Sequence, residues 1–376
     1  MSLDKRIALY QQIEAYRKRP LIVYVTSKRK GVVSMMSSDA IPCLIEQIDK
    51  LPPETKEVDF LIVSFGGDPM VAWRISSLLR QRVDKVSVLI PQSAYSAATL
   101  VALGANEIMM HPNGNLGPID FQIVMEDASG QSRSYSTEDI SAFLDFVREK
   151  LKLTDQEHIR TLFEKTCQEV GSLGIGFTAR SSKLAEDMGG NLLAEHMNSG
   201  ETGQAKIHAI IDHMNRKFQS HGYPVNRKEA KNIGLNVQSD STLDALMWQA
   251  WLLLEEELKE REPFDPICEL LNSSEASKLL APVPQLDVPL CATATGHYNT
   301  TLSDLNNAVT SKVEPVDYGY TDAIVESPRV AFAHKVKGKI LSHRTPDMQI
   351  RYNVLVKSSV WENLPVQSQR KERKSS

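Results

Sequence analysis

Two short turns, rich in glycine and serine, carry the residue types that could do chemistry. The first, SFGGDP at residues 64 to 69, directly follows the apolar run VDFLIV. Consecutive glycines let the backbone approach a bound group, and their N–H groups then point into the cleft. Such donors stabilise the negative oxygen that forms when a carbonyl is attacked. The turn therefore indicates an oxyanion site, or else a tight connection between a strand and a helix.

The second turn, YSAAT at residues 95 to 99, places Ser96 before a helix of small residues. A serine between a strand and a helix is the arrangement of a nucleophile elbow, although the GxSxG motif is absent. The N–H group of Ala97 would then complete an oxyanion hole with that of Gly67. Serine is also a favoured N-cap, so a purely structural role for Ser96 stays open.

Alternating strands and helices position both turns at one edge of a sheet. Apolar strands are predicted over residues 20 to 27, 58 to 64 and 86 to 91, and helices over 3 to 18, 38 to 50, 71 to 81 and 96 to 105. This alternation favours an α/β fold with a largely parallel sheet, in which the turns after the strands carry the chemistry.

The rest of the chain divides into segments that differ in composition and residue pattern. Residues 1 to 260 are predicted to form the main domain, with a helical insertion at about 136 to 172 and a short helix that ends at Gly234. Prolines punctuate residues 261 to 300, which we predict to be a linker. Residues 301 to 376 alternate like strands and end in the charged tail QRKERKSS, so a small β-containing extension with a mobile basic end is expected.

Composition excludes several classes of function. With a net charge of -4, the chain lacks the excess of positive charge that is typical of proteins that bind nucleic acid. The four cysteines lack metal-ligand spacing, and no run is apolar enough for a membrane span, which favours a cytoplasmic protein. Without a dinucleotide fingerprint or a Walker motif, we expect neither an organic cofactor nor a metal.

Three segments, taken in order, resemble a known family: SFGGDP, then QSAYSAATLVALGANEIMMHPNGNLGPID, then SHGYPVNRKEAKNIGLNV. They are similar to the serine dehydrogenase proteinase family of the ClpP/crotonase-like superfamily, which includes signal peptide peptidase A and the NfeD-type peptidases. The resemblance covers roughly residues 20 to 240. It implies a ClpP/crotonase-like spiral of β-β-α units, a homo-oligomer, and hydrolysis of a peptide or protein substrate.

The resemblance also implies roles for individual residues. Ser96 would be the nucleophile, Gly67 and Ala97 would donate to the oxyanion, and Gly66 and Asp68 would contact the substrate. Phe65 and Asp68 depart from the residues that usually flank these glycines, and Ala98 replaces a common glycine, which leaves the fit of the substrate open.

The base that accepts the serine proton is less well defined. A lysine can serve only if burial lowers its pKa. Lys183 matches the lysine of the NfeD-type peptidases best, and Lys150, Lys152 and Lys165 are fallback candidates. His111 would be the base of a Ser-His-Asp triad, and His221 belongs to a family element of unknown role.

Two other classes of function remain as alternatives. A crotonase-type enzyme would use the same two N–H groups for an acyl-CoA thioester, but the chain shows no clear acidic catalytic residues and no basic cluster near either turn. A catalytically inactive scaffold would keep the fold and bind through the C-terminal extension. A regulatory partner is not identifiable from the sequence.

Overall fold

A computed structural model describes residues 2–119, 122–126, 132–136, 142–143, 145–197, 200–216, 218, 220, 222–282, 311–345 and 347–366. It shows a mixed α/β protein in which helices cover both faces of a large central sheet. The helices are α1 (Ser2–Arg17), α2 (Ile41–Asp49), α3 (Pro69–Arg82), α4 (Ala97–Leu103), α5 (Gln156–Val170), α6 (Ser172–Ala194), α7 (Glu201–Arg216), α8 (Arg227–Ile233), α9 (Ser241–Leu258), α10 (Pro266–Leu271) and α11 (Ala276–Leu279). A short 3-10 helix (Ser38–Ala40) precedes α2, and one π-helical turn (Phe146–Lys150) precedes α5.

Fourteen strands are seen in the described residues. They are β1 (Leu21–Thr26), β2 (Glu57–Val63), β3 (Lys85–Ile90), β4 (Ser93–Ala94), β5 (Glu107–Met110), β6 (Asn115–Leu116), β7 (Gln122–Glu126), β8 (Ser132–Ser136), β9 (Val225–Asn226), β10 (Val237–Gln238), β11 (Ser311–Lys312), β12 (Val316–Glu326), β13 (Ala331–Arg344) and β14 (Ile350–Leu364). The predicted helices and strands up to residue 105 lie within a few residues of the observed ones.

The central sheet has the order β10-β5-β3-β2-β1-β12-β13-β11, with β14 paired to β13. From β10 to β1 all neighbours are parallel, so the carboxyl ends of β1, β2, β3 and β5 lie at one edge. A three-stranded sheet, β4-β6-β9, is built from the segments that follow. This arrangement brings both candidate turns to the same edge, as the strand pattern predicts.

Two apolar layers hold the helices against the sheet. On one face α2, α3, α4, α6 and α7 pack on side chains such as Tyr24, Phe60 and Val88. On the other face α1 and α9 pack on Leu61 and Leu89. Both faces of the parallel strands are buried, which explains their continuous apolar runs.

The strands after residue 311 extend the central sheet. β12 pairs antiparallel with β1, in a register that places Val23 opposite Glu326. Glu326 is fully buried and accepts hydrogen bonds from Arg6 (Nε to Oε1, 2.7 Å) and from the Tyr10 hydroxyl (2.6 Å). The C-terminal strands and helix α1 are therefore joined by a buried ionic network.

Some details differ from the sequence-based expectations. β7 and β8 form a two-stranded hairpin ahead of the predicted helical insertion, and SRSYS has too little apolar character to indicate a strand. The predicted linker contains α10 and α11, of which α10 begins with Pro266 and is capped by the Asp265 side chain. Proline is well tolerated in the first turn of a helix, so these short helices are compatible with a linker, which stays a prediction.

Candidate active site

Backbone hydrogen bonds hold the two turns together at the carboxyl edge. The Ser64 N–H donates to the Ser93 carbonyl (2.9 Å), and the Tyr95 N–H donates to the Ser64 carbonyl (3.0 Å). The Ser64 hydroxyl accepts from Thr26 Oγ1 (2.7 Å) and from the Gly66 N–H (3.0 Å). The end of β2 is thereby fixed to the residues that lead into Ser96.

Gly66 lies directly against the serine turn. A Cβ at this position would lie 2.8 Å from the Ser96 Cβ and 3.0 Å from the Ala97 nitrogen. Gly66 also has a φ of +102°, which side chains with a Cβ rarely adopt. Only glycine allows this approach, so the first glycine of the pair is needed for the geometry itself.

The neighbouring segment occupies one side of the glycine turn. The Met36 N–H donates to the Gly66 carbonyl (2.7 Å), and the Asp68 N–H donates to the Met36 carbonyl (2.9 Å). The Asp68 carboxylate caps α3 by accepting from the Met70 N–H (2.8 Å). These polar groups of Gly66 and Asp68 therefore have structural partners, and the free edge of the turn belongs to Gly67.

Ser96 has a backbone conformation that is rare for a residue with a side chain. Its φ is 52° and its ψ is −118°, and its hydroxyl makes no capping hydrogen bond with α4. The structure therefore does not support the N-cap reading of Ser96. Strained backbone of this kind is concentrated at functional sites, and a sharp strained turn between a strand and a helix is what presents the serine in a nucleophile elbow.

Ala97 directly follows Ser96, and Gly67 directly follows Gly66, which lies against Ser96. Among the described residues, neither the Gly67 N–H nor the Ala97 N–H has a hydrogen-bond acceptor. Ala97 is the first residue of α4, whose N-terminal amides carry partial positive charge. Neither group is engaged by a described protein acceptor, and their role as donors to an oxyanion stays a prediction.

A buried threonine connects this turn to the LGPID segment. Thr99 Oγ1 donates to the carbonyls of Ala94 (2.8 Å) and Gly117 (2.9 Å), sharing its one proton, and accepts from the Gly117 N–H (3.2 Å). A Cβ on Gly117 would lie 2.0 Å from the Tyr95 ring. Thr99 and Gly117 therefore fix the serine turn against the LGPID segment.

The predicted base Lys183 lies on the solvent side of α6. Its side chain is 69% exposed, and its Nζ is 2.9 Å from Asp187 Oδ1. The hydrogen bond and negative charge of Asp187 raise the pKa of Lys183. A lysine base needs the opposite shift, so this conformation of Lys183 does not supply a neutral amine near pH 7.

The other candidate bases are also separate from Ser96. No hydrogen bond joins the Ser96 hydroxyl to a lysine or histidine within the part of the chain that is described. Lys150, Lys152 and Lys165 are exposed on or beside the insertion helices. His111 stacks on Trp248 with ring centroids 4.8 Å apart, and burial lowers its pKa. His221 lies outside the described residues.

Sequence reasoning missed Lys28, which is half-buried at the same edge. Its Nζ lies 5.5 Å from the centre of the Phe65 ring and 4.7 Å from that of Trp251, and it donates to Gln92 Oε1. Burial lowers the pKa of Lys28 to about 8, although Glu260 and Glu255 oppose the shift. The available signal was positional: Lys28, Phe65 and Gln92 each stand two residues after a parallel strand.

The described ranges contain neither a metal cluster nor a membrane-spanning helix. No cluster of three or more His, Cys, Asp or Glu side chains suitable for a metal ion occurs there. Across the same residues, every helix is too short or too polar to traverse a lipid bilayer. Cys43, Cys167 and Cys268 carry free thiols.

Residues 34–146 match the family of ClpP-like SDH-type serine proteinases. The match confirms the resemblance and the ClpP-like fold class, and it includes both turns of the site. It stops before Lys183, so it does not identify the base.

Relatives and solved structures give weaker likenesses. The uncharacterized protein MJ1495 of Methanocaldococcus jannaschii is 25% identical over 191 residues, which are 51% of this chain and 55% of that protein. The chain thus spans about half the length of this curated relative.

A crystal structure described as an enoyl-CoA hydratase from Streptomyces coelicolor A3(2) has a TM-score of 0.30 at 12% identity, covering 69% of this chain and 78% of the other. A membrane-bound stomatin-specific protease with a substrate peptide has a TM-score of 0.24 at 16% identity, covering 62% and 98%.

Proposed function

We propose, from the match of residues 34–146 to the ClpP-like SDH-type serine proteinases, that this protein is a serine endopeptidase with Ser96 as nucleophile. The strained backbone of Ser96, pressed against Gly66, is the observation that carries the proposal. A helix cap needs no such conformation, and Ser96 makes no cap hydrogen bond. A reactive hydroxyl must be presented away from its own backbone, and a strained turn between a strand and a helix supports this role for Ser96.

In the proposed reaction, the Ser96 oxygen attacks the carbonyl carbon of a peptide bond while a base takes the hydroxyl proton. The carbonyl oxygen becomes negative and receives hydrogen bonds from the Gly67 and Ala97 N–H groups. When the C–N bond breaks, the proton passes to the leaving amine and an acyl-enzyme remains. Water then repeats the sequence and releases the acid.

Peptide binding is proposed along the free edge of Gly67. Because Met36 engages the carbonyl of Gly66 and the N–H of Asp68, the opposite side of this extended segment retains one N–H and one carbonyl. An extended substrate strand pairs naturally with such an edge. Gly66 and Asp68 would then contribute to the substrate subsite through the path of their backbone, because the polar groups named above already bind other parts of the protein.

Lys183 remains the base that the resemblance implies. To reach Ser96, its ammonium group would have to leave Asp187, and its pKa would have to fall in the new environment. The proposal therefore includes a rearrangement of this part of α6, in the assembled protein or on binding of substrate. The homo-oligomer and the cytoplasmic location are likewise proposals.

The deciding experiment is cleavage of a mixed peptide library by the purified full chain, followed by mass spectrometry. We expect Ser96→Ala to lower kcat by at least about 10³-fold, because the nucleophile is lost. Ser77→Ala, on α3, is the matched control and should retain normal turnover. Hydrolysis by Ser96→Ala at the normal rate, or no cleavage by the unaltered assembled protein, would overturn the proposal.

A further inference from the structure

The ammonium group of Lys28 is a cation without an anionic partner at the rim of the site. Within the described residues, no carboxylate lies within ion-pair distance of its Nζ. The nearest acidic groups are committed elsewhere: Glu260 accepts from the Lys28 N–H (2.9 Å) and the Ser27 hydroxyl (2.9 Å), and Glu255 pairs with Arg261. The side-chain ammonium is left with the neutral oxygen of Gln92 and two aromatic rings.

The position of Lys28 follows from the sheet order. β3, β2 and β1 are parallel neighbours, and Gln92, Phe65 and Lys28 occupy the second position after each. The Lys28 side chain therefore crosses the end of β2, over the Phe65 ring, to reach Gln92. This crossing places the ammonium group beside the residue that precedes Gly66.

A row of contacts connects Lys28 to the nucleophile. The Phe65 ring, which is 54% exposed, meets the Tyr95 ring edge-on with centroids 5.5 Å apart. Tyr95 and Phe65 directly precede Ser96 and Gly66 in the chain. Lys28, Phe65 and Tyr95 thus form a continuous row beside the two turns, with the ammonium group at its far end.

We propose that Lys28 is a specificity-determining residue that binds a carboxylate of the substrate, within a few residues of the scissile bond. A carboxylate would supply the negative charge that the neutral Gln92 oxygen lacks, in a place where aromatic side chains partly exclude water. It would also give a second acceptor to an ammonium group that has three donors and, among the described residues, one acceptor in Gln92. The inference rests on the proposed peptidase function, because it assumes that a peptide occupies the Gly67 edge.

Two sources of carboxylate fit this chemistry: an Asp or Glu side chain, and the C-terminal carboxylate of a peptide. Matched peptides distinguish them. In one pair Glu is replaced by Gln at a single position near the cleavage site, and in the other pair the C-terminus is a free acid or an amide. A preference confined to the first pair identifies a side chain, and one confined to the second identifies the terminus.

The test compares kcat/KM for these pairs in three forms of the full chain: the unaltered protein, Lys28→Met and the control Lys30→Met. Lys30 is exposed two residues away. We expect a preference for the carboxylate of about tenfold or more, the effect of one charged hydrogen bond, in the unaltered protein and the control. Lys28→Met should lose that preference while it cleaves the neutral peptides at nearly the normal rate.

The outcomes separate this inference from the proposed function. If the unaltered protein cleaves acidic and neutral peptides equally, or if Lys28→Met keeps the preference, the role of Lys28 is overturned while the peptidase proposal stands. If no peptide is cleaved, the proposed function fails first. Lys28→Arg, which keeps the positive charge, should restore most of the preference, and a merely structural lysine would show no such charge dependence.

Discussion

A Cβ placed on Gly66 would lie 2.8 Å from the Cβ of Ser96. Gly66 and Ser96 therefore lie very close together where the two turns that the sequence singles out meet, at the ends of neighbouring strands. The distance is shorter than the contacts that real Cβ atoms make, so the two turns can meet only because residue 66 is glycine. The geometry of the candidate site thus depends on a missing side chain as much as on the serine.

Gly66→Ala should therefore damage the site. The new methyl group would press on Ser96 and on the Tyr95 carbonyl (2.8 Å), at a φ of +102° that alanine avoids. Displacement of the nucleophile by about 1 Å can cost about 10²-fold in rate, and the strain should destabilise the fold by more than about 1 kcal/mol. Peptide turnover and thermal unfolding together measure both effects.

Gly190→Ala is the matched control for this substitution. Its Cβ would meet no atom closer than 4.0 Å, and Gly190 lies inside helix α6. Alanine in a compatible helical position stabilises by about 0.4 to 1 kcal/mol. If both variants keep full turnover, the close approach of Gly66 to Ser96 does not matter for catalysis.

The sequence predicts those parts of the candidate site whose position is determined by neighbouring residues in the chain. Apolar runs followed by glycine or serine turns indicate parallel strands with their functional ends at one edge, and Ser96, Gly67 and Ala97 are found there. The helical pattern near Gly234 is confirmed because its stop signal is local: Gly234 has a φ of +110° at the end of α8.

Contacts between distant segments leave no such local signal. Nothing around Met36 indicates that it flanks the glycine turn, and the position of Lys28 after β1 becomes informative only once the sheet order is known. The same holds for Glu326, which reaches Arg6 across 320 positions. The helix that contains Lys183 is predicted correctly from its local pattern. Which face of α6 is buried, however, depends on packing against α4 and α7.

The proposed role of Lys183 gives a second prediction. If Lys183 is the base, Lys183→Ala should reduce kcat nearly as much as Ser96→Ala, whereas the exposed control Lys5→Ala should not. Removing the Asp187 charge with Asp187→Asn should lower the pKa of Lys183, since Asp187 is the main cause that raises it. The rise of kcat/KM with pH should then shift to lower pH.

Turnover of Lys183→Ala within a few-fold of normal would contradict this role. His111→Ala is then the informative variant, because the pKa of His111 is lowered and a histidine base would give a rise in rate below neutral pH. The candidates Lys150, Lys152 and Lys165 can be replaced in the same series.

A third prediction concerns the C-terminal strands. Glu326→Gln removes a buried charge whose partner Arg6 is itself fully buried. Breaking one side of a buried ion pair costs about 3 to 5 kcal/mol, so the urea midpoint should fall clearly. The control Glu362→Gln breaks pairs with Lys335 and Lys337 at the surface and should change the midpoint little. Equal midpoints for the two variants would show that the buried pair of Glu326 and Arg6 adds little to the stability of the fold.

The pH dependence of the proposed carboxylate preference is the fourth prediction. Lys28 binds an anion only while protonated, and burial lowers its pKa to about 8 against the opposing charges of Glu260 and Glu255. Phe65, Trp251 and Gln92, which also contact the ammonium group, do not titrate in this range. The preference should therefore be full near pH 6 and decline as the pH rises through about 8.

The ratio of kcat/KM for an acidic and a matched neutral peptide isolates this effect, because the titration of the catalytic base cancels. A bound carboxylate raises the pKa of Lys28. The loss of preference should therefore appear as a higher KM for the acidic peptide, and under saturating substrate it should occur at higher pH. Lys28→Arg should keep the preference above pH 9, since arginine does not lose its proton there. A ratio that stays constant from pH 6 to 10 in the unaltered protein would assign the preference to another residue.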